Sequence, residues 1–154
     1  MKLKRTPEEY ASKAKELFEQ GYNCAQSVIL AFEDVTGLDT KTAATLSSSF
    51  GGGMGRLREV CGAVSGMFMV AGILQGYDDP KAKEEKAEHY AFIQSLAADY
   101  RAENGSIICK ELLGLPGAEA PVPEERTAEY YRRRPCGEYV ECAAKLLAKK
   151  LEEN

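Results

Sequence analysis

Five cysteines, Cys24, Cys61, Cys109, Cys136 and Cys142, are the residues best suited to chemistry in this chain of 154 residues. No Cys-x-x-Cys occurs among them, which removes thioredoxin-type motifs, zinc knuckles and haem attachment. Any shared site must be assembled in space from distant segments. An odd total also fits a purely structural disulfide framework poorly. Thiol chemistry, metal ligation and plain burial remain. Position singles out four of the five: Cys24, Cys61, Cys109 and Cys136 each fall within the first turn or two of an expected helix. Free backbone amides and the positive end of the helix dipole favour an anion there. Thiolates at helix starts have lowered pKa values, and the thiolate is the nucleophile, the oxidisable form and the metal ligand. Cys142 lies inside the last helix, and six residues at about 100° each turn it away from Cys136. Burial as a small hydrophobe accounts for Cys142, and the same inert packing competes as a reading of the other four.

The elements that must carry these residues are all helical. Thr6-Pro7-Glu8-Glu9 is a capping box with proline at the first helical position. Tyr10, Ala14, Leu17 and Phe18 then recur at helical spacing until Gly21. Asn23 caps a second helix with Ala25, Val28, Ile29 and Phe32 on one stripe, ending near Gly37, and Asp39 or Thr40 opens a third through Leu46. After the break Phe50-Gly51-Gly52-Gly53-Met54-Gly55-Arg56, a fourth helix is expected from near Glu59 to about Gly76. It is apolar nearly all round, which places it in the middle of a bundle. Gly62 with Gly66, and Gly72 with Gly76, would let a neighbour or a bound group approach its backbone. A long charged helix runs from Asp79-Pro80 to about Glu103, with Tyr90, Ile93, Leu96, Ala97 and Tyr100 inward. A short helix covers Ile107 to Leu113, Leu115 to Glu125 is irregular, and Thr127 to Arg134 is helical. The last helix has Val140, Ala143, Leu146, Leu147 and Leu151 as its apolar face. No alternating strand pattern and no repeat is present, so the expected fold is all-α: a compact multi-helix bundle around a glycine-rich apolar central helix, forming one domain over residues 1–154.

Composition bounds the function. Hydrophobic residues make up 44% and charged residues 29%, a globular mix. A domain of this length can bury roughly 70% of its unfolded surface, so it needs neither metal nor disulfides merely to fold. The net charge of −4 argues against general nucleic-acid binding. The N-terminal residues have no apolar core of the kind a secretory signal needs. The longest nearly apolar run, Val60 to Leu74, is shorter than the about 20 residues of a membrane-spanning helix. A cytoplasmic protein without membrane insertion is the expectation, and there thiols stay reduced.

Other features are weaker. The glycine run matches neither phosphate-loop pattern and no strand precedes it. Its expected role is a tight turn that brings the Cys61 helix start near other segments. Anion binding with Arg56 or Arg58 is a lesser option, and either arginine would favour a Cys61 thiolate. His89, the only histidine, is expected partly exposed. Arg132-Arg133-Arg134 reads as a solvated helix end, the Glu and Lys of residues 81 to 88 as a solvated face, and Tyr22 as core.

Gly21-Tyr22-Asn23-Cys24-Ala25-Gln26-Ser27-Val28, then Phe50 to Gly55, then Cys61-Gly62-Ala63-Val64-Ser65-Gly66 and two late cysteine segments resemble the C_GCAxxG_C_C family of redox-active proteins. The resemblance spans about Tyr10 to Leu147. It places the four-cysteine pattern on Cys24, Cys61, Cys109 and Cys136, and the glycine motif on Cys61 to Gly66. It implies a small cytoplasmic bacterial or archaeal protein, often encoded near transporter genes, so that a redox partner and a membrane transporter are the expected associates. Two chemistries satisfy four such cysteines gathered near Gly62 and Gly66. A pair could cycle between dithiol and disulfide as a thiol-based oxidoreductase. Alternatively, the four thiolates could hold an iron–sulfur cluster or, less favourably, zinc. A non-catalytic helical adaptor with inert cysteines is the rival from another class.

Overall fold

A computed structural model describes all 154 residues. Helix α1 (Pro7–Glu19) begins at the expected capping box, with the Thr6 hydroxyl accepting from the Glu9 amide and the Glu9 carboxylate accepting from the Thr6 amide. Asn23 and Gln26 form a second reciprocal box at the head of α2 (Cys24–Ala31). The expected single helix to Gly37 is instead broken at Phe32, which is fully buried and stacks on Tyr10 at 4.3 Å. A one-turn α3 (Glu33–Thr36) follows and stops at left-handed Gly37, and Asp39 caps α4 (Thr40–Ser47).

The central helix, α5 (Gly62–Gln75), starts later than its apolar pattern predicts. Glu59 and Val60 are extended because their backbone is bonded elsewhere. Val60 pairs with Ile108 in an isolated antiparallel bridge, the Cys61 amide donates to the Ile107 carbonyl at 2.8 Å, and the Cys109 amide donates to the Glu59 carbonyl at 2.6 Å. A periodicity argument does not see this competition for backbone groups. α5 packs against α2, α6 (Lys83–Asn104) and α9 (Cys136–Glu153), while α1 lies along α9 and α2. Its first half is buried from Gly62 to Met67, but its second half emerges, with Ile73 39% exposed. α6 begins after Asp79-Pro80 rather than at it, and Tyr90, expected inward, is 50% exposed and paired with the Tyr77 hydroxyl at 3.2 Å. Short helices α7 (Cys109–Leu113) and α8 (Ala128–Arg133) flank the irregular stretch. The protein is all-α, and no helix is long and apolar enough to cross a membrane.

A candidate thiol pocket at four helix starts

Four helices present a cysteine at their amino ends. Cys24, Cys109 and Cys136 are the first residues of α2, α7 and α9, and Cys61 is the residue that caps α5. All four line one half-enclosed cavity of about 50 Å³, together with Gly52, Gly53, Gly62, Arg58, Arg126 and Tyr130. Cys61, Cys109 and Cys136 are buried and Cys24 is partly buried, and all five cysteines of the chain are free thiols. The bridge between Val60 and Ile108 explains why Cys61 and Cys109, far apart along the chain, share this cavity.

The glycine run closes one wall. Gly52 and Gly53 are left-handed, and a Cβ added to Gly53 would sit 2.6 Å from the Cys109 Cβ and 2.8 Å from the Arg58 Cα. Only glycine lets the loop press this close at that backbone angle. Met54, Arg56 and Arg58 also have positive φ, a conformation that costs a non-glycine residue about 1–2 kcal/mol. Such concentrated strain persists only where surrounding contacts over-determine it. Arg58 supplies those contacts. Its guanidinium, nearly buried, donates from Nη1 to the Cys109 Sγ at 3.5 Å and from Nε to Glu119 Oε1 at 2.7 Å. Gly62 faces the Cys24 Cβ and the Phe50 carbonyl, so it seats α5 beside Cys24. Gly66 faces Ala25 and Val28 of α2, one turn further from the cavity, and does not line it.

Electrostatics divides the four thiols. Their shared position at helix starts suggests that all would be acidic, yet three are raised: Cys61 and Cys109 chiefly by burial, and Cys24 chiefly by its neighbour Cys136. The neighbouring Cys136 sulfur, and burial after it, hold the Cys24 thiol well above the ordinary thiol range. Burial pushes Cys61 up to about 11, against hydrogen bonds from the Tyr100 hydroxyl and the Ala63 and Val64 amides. Burial also raises Cys109, with Arg58 opposing. Cys136 alone is lowered. The neighbouring Cys24 thiol comes first, and the charges of Arg134, Arg58 and Arg126 add to it against the cost of burial. The two thiols titrate as a pair, and the arginine charges favour the negative sulfur on the Cys136 side.

Several expectations need correction. Arg58 serves Cys109 rather than Cys61, and Arg56 reaches the Ala120 carbonyl. Arg134 is not a solvated helix end: its side chain is 9% exposed, ion-paired with Glu124 at 2.9 Å, and its charge acts on Cys136. Cys142 stands apart as expected, half-buried, accepting from Asn104 Nδ2 at 3.4 Å and lying beside Glu103. Sequence reasoning missed Arg126, Tyr130 and Tyr139, which line the cavity. Arg126 stacks on Phe18 and Tyr130, at 4.4 and 4.9 Å, and donates to the Phe18 and Tyr22 carbonyls. The nearby Tyr130 and Tyr131 are the only local signal of that role, because its other partners, Phe18 and the Tyr22 carbonyl, lie in α1 and the turn after it.

Four cysteines on four helix starts, with a Cys-Gly-Ala-x-x-Gly run heading the central helix, match the pattern of one family model over residues 22–150. The chain belongs to the C_GCAxxG_C_C family, described as "Putative redox-active protein". No curated protein and no solved structure matches the chain significantly. Within this C_GCAxxG_C_C protein no group of three or more His, Cys, Asp or Glu side chains is arranged to hold a metal ion.

Proposed function

We propose that this C_GCAxxG_C_C protein is a single helical domain that cycles between dithiol and disulfide, with Cys136 as the reactive thiolate and Cys24 as its resolving partner. The observation that carries this reading is that Cys24 and Cys136 open two helices whose amino ends meet at one shared cavity, where arginine charges favour a negative sulfur at Cys136. Thiolate character governs both attack on an oxidant and thiol–disulfide exchange. In the oxidising step the Cys136 sulfur attacks an acceptor with a weak oxygen–oxygen or sulfur–sulfur bond, which breaks and takes the electron pair. The Cys24 sulfur then attacks the Cys136 sulfur, gives up its proton, and displaces what the acceptor left there. Two thiols lose two electrons and two protons, and one sulfur–sulfur bond forms.

Equilibration in dithiothreitol redox buffers tests the pair without depending on how fast an oxidant reaches it. Two of the five thiols should be lost together in a two-electron titration, and peptide mapping should join Cys24 to Cys136. The reading fails if no thiols are lost. It also fails if anaerobically purified protein carries stoichiometric iron or zinc that keeps all four pocket cysteines from alkylation.

A further inference from the structure

The thiol pocket is roofed, and the roof limits what can react there. Arg126 and Tyr130, from residues 115–134, line the cavity, and this stretch is fastened to the body at two points and braced within itself at a third. Arg58 holds Glu119 at 2.7 Å, Arg134 holds Glu124 at 2.9 Å, and Arg126 is wedged on Phe18 and Tyr130 while donating to two carbonyls in and after α1. Beneath it Cys136 is only 9% exposed. The cavity of about 50 Å³ has room for a few water molecules. Sites for drug-sized ligands run to about 300–1,000 Å³, so a tripeptide disulfide or a loop of another protein has no place beside the Cys136 sulfur.

We infer that the oxidant of the Cys24–Cys136 pair is a small hydroperoxide, with hydrogen peroxide the best fit, and that the Arg126 roof excludes peptide and protein disulfides. This rests on the pair assignment above. The Cys136 thiolate attacks one peroxide oxygen, the oxygen–oxygen bond breaks, a sulfenic acid forms, and hydroxide leaves and is protonated to water. The Cys24 sulfur attacks the Cys136 sulfur, the sulfur–oxygen bond breaks, and a second water leaves with the Cys24 proton. One peroxide and two thiols become one disulfide and two waters. The Arg58 and Arg126 guanidiniums lining the cavity supply positive charge where hydroxide departs.

Reduced protein is mixed with equal concentrations of hydrogen peroxide and of oxidised glutathione, quenched by alkylation, and resolved by mass. Peroxide should form the Cys24–Cys136 bond at least tenfold faster, and Cys24→Ser should accumulate a dimedone-reactive sulfenic acid at Cys136. Arg126→Gln, or Tyr130→Ala if the first melts poorly, should raise the glutathione rate more than the peroxide rate. Equal or faster oxidation by glutathione, or no sulfenic acid at Cys136 in Cys24→Ser, overturns the inference. If the dithiothreitol titration still shows the two-electron pair, the pair reading survives that failure; if that titration fails as well, both fall.

Discussion

Cys136 and Cys142 sit on the same helix, six residues apart, and differ in almost everything that decides a thiol's chemistry. Cys136 opens α9, where the neighbouring Cys24 thiol and the charges of Arg134, Arg58 and Arg126 favour its negative form. Cys142 lies within the helix, where burial raises its pKa and the nearby Glu103 and Glu141 oppose the charged form. Cys142 is the more exposed of the two and still the less acidic. Depth therefore does not rank these thiols; what ranks them is whether the surrounding charges and hydrogen bonds favour a negative sulfur. The same contrast separates the pole where four helix starts meet from the flank around the end of α5. The pole is tight, strained and cationic, whereas Gly72 on the flank has nothing within 4 Å of an added Cβ.

Substitutions can break that contrast. The largest effect is expected at Gly53→Ala, which forces a methyl against Cys109 and Arg58 at a left-handed position. Overpacking of about 1–3 kcal/mol adds to a backbone cost of about 1–2 kcal/mol, and urea unfolding reads the loss. Cys61 comes next, through pH. An unfolded thiol titrates near pH 8.5, about, whereas folded Cys61 keeps its proton up to about 11. Its stabilisation is complete below that window and is lost as pH rises through it, by roughly 3 kcal/mol at most. Urea midpoints at pH about 8 and about 10.5 should diverge, and Cys61→Ser should narrow the divergence by its own share, the raised Cys24, Cys109 and Cys142 thiols contributing the rest with the same sign. Cys136 has the opposite sign: its contribution is present above the unfolded thiol's pKa and fades as pH falls.

Smaller effects sharpen the picture. Cys136→Ser should cut the consumption of hydrogen peroxide by the reduced native protein at neutral pH at least tenfold, about 1.4 kcal/mol in rate terms, while Cys142→Ser leaves it nearly unchanged. Gly72→Ala should stabilise by about 0.5–1 kcal/mol, because helix propensity acts there without a steric penalty.

Local chemistry was the legible part of this fold. The Thr6-Pro7-Glu8-Glu9 box, the Asn23 and Asp39 caps and the apolar stripes of α1 and α9 are short-range patterns, and each appears at its expected place. The placement of four cysteines at helix starts was legible for the same reason. What stayed hidden depends on partners far along the chain. The late start of α5 follows from the pairing of Val60 with Ile108, and the exposure of Tyr90 follows from its contact with Tyr77. Arg126 and Arg134 act on thiols and aromatic rings in other elements. The division of the thiols was hidden too, since burial outweighs the helix start at Cys61 and Cys109 but not at Cys136.

Site-resolved reaction of the reduced native protein with hydrogen peroxide across pH, read by mass after unfolding, tests the central assignment most directly. Modification of Cys136 should follow a midpoint below the ordinary thiol range, with Cys142 titrating above it and Cys61 unreactive until strongly alkaline pH. A Cys136 midpoint at or above that of Cys142 would contradict the account.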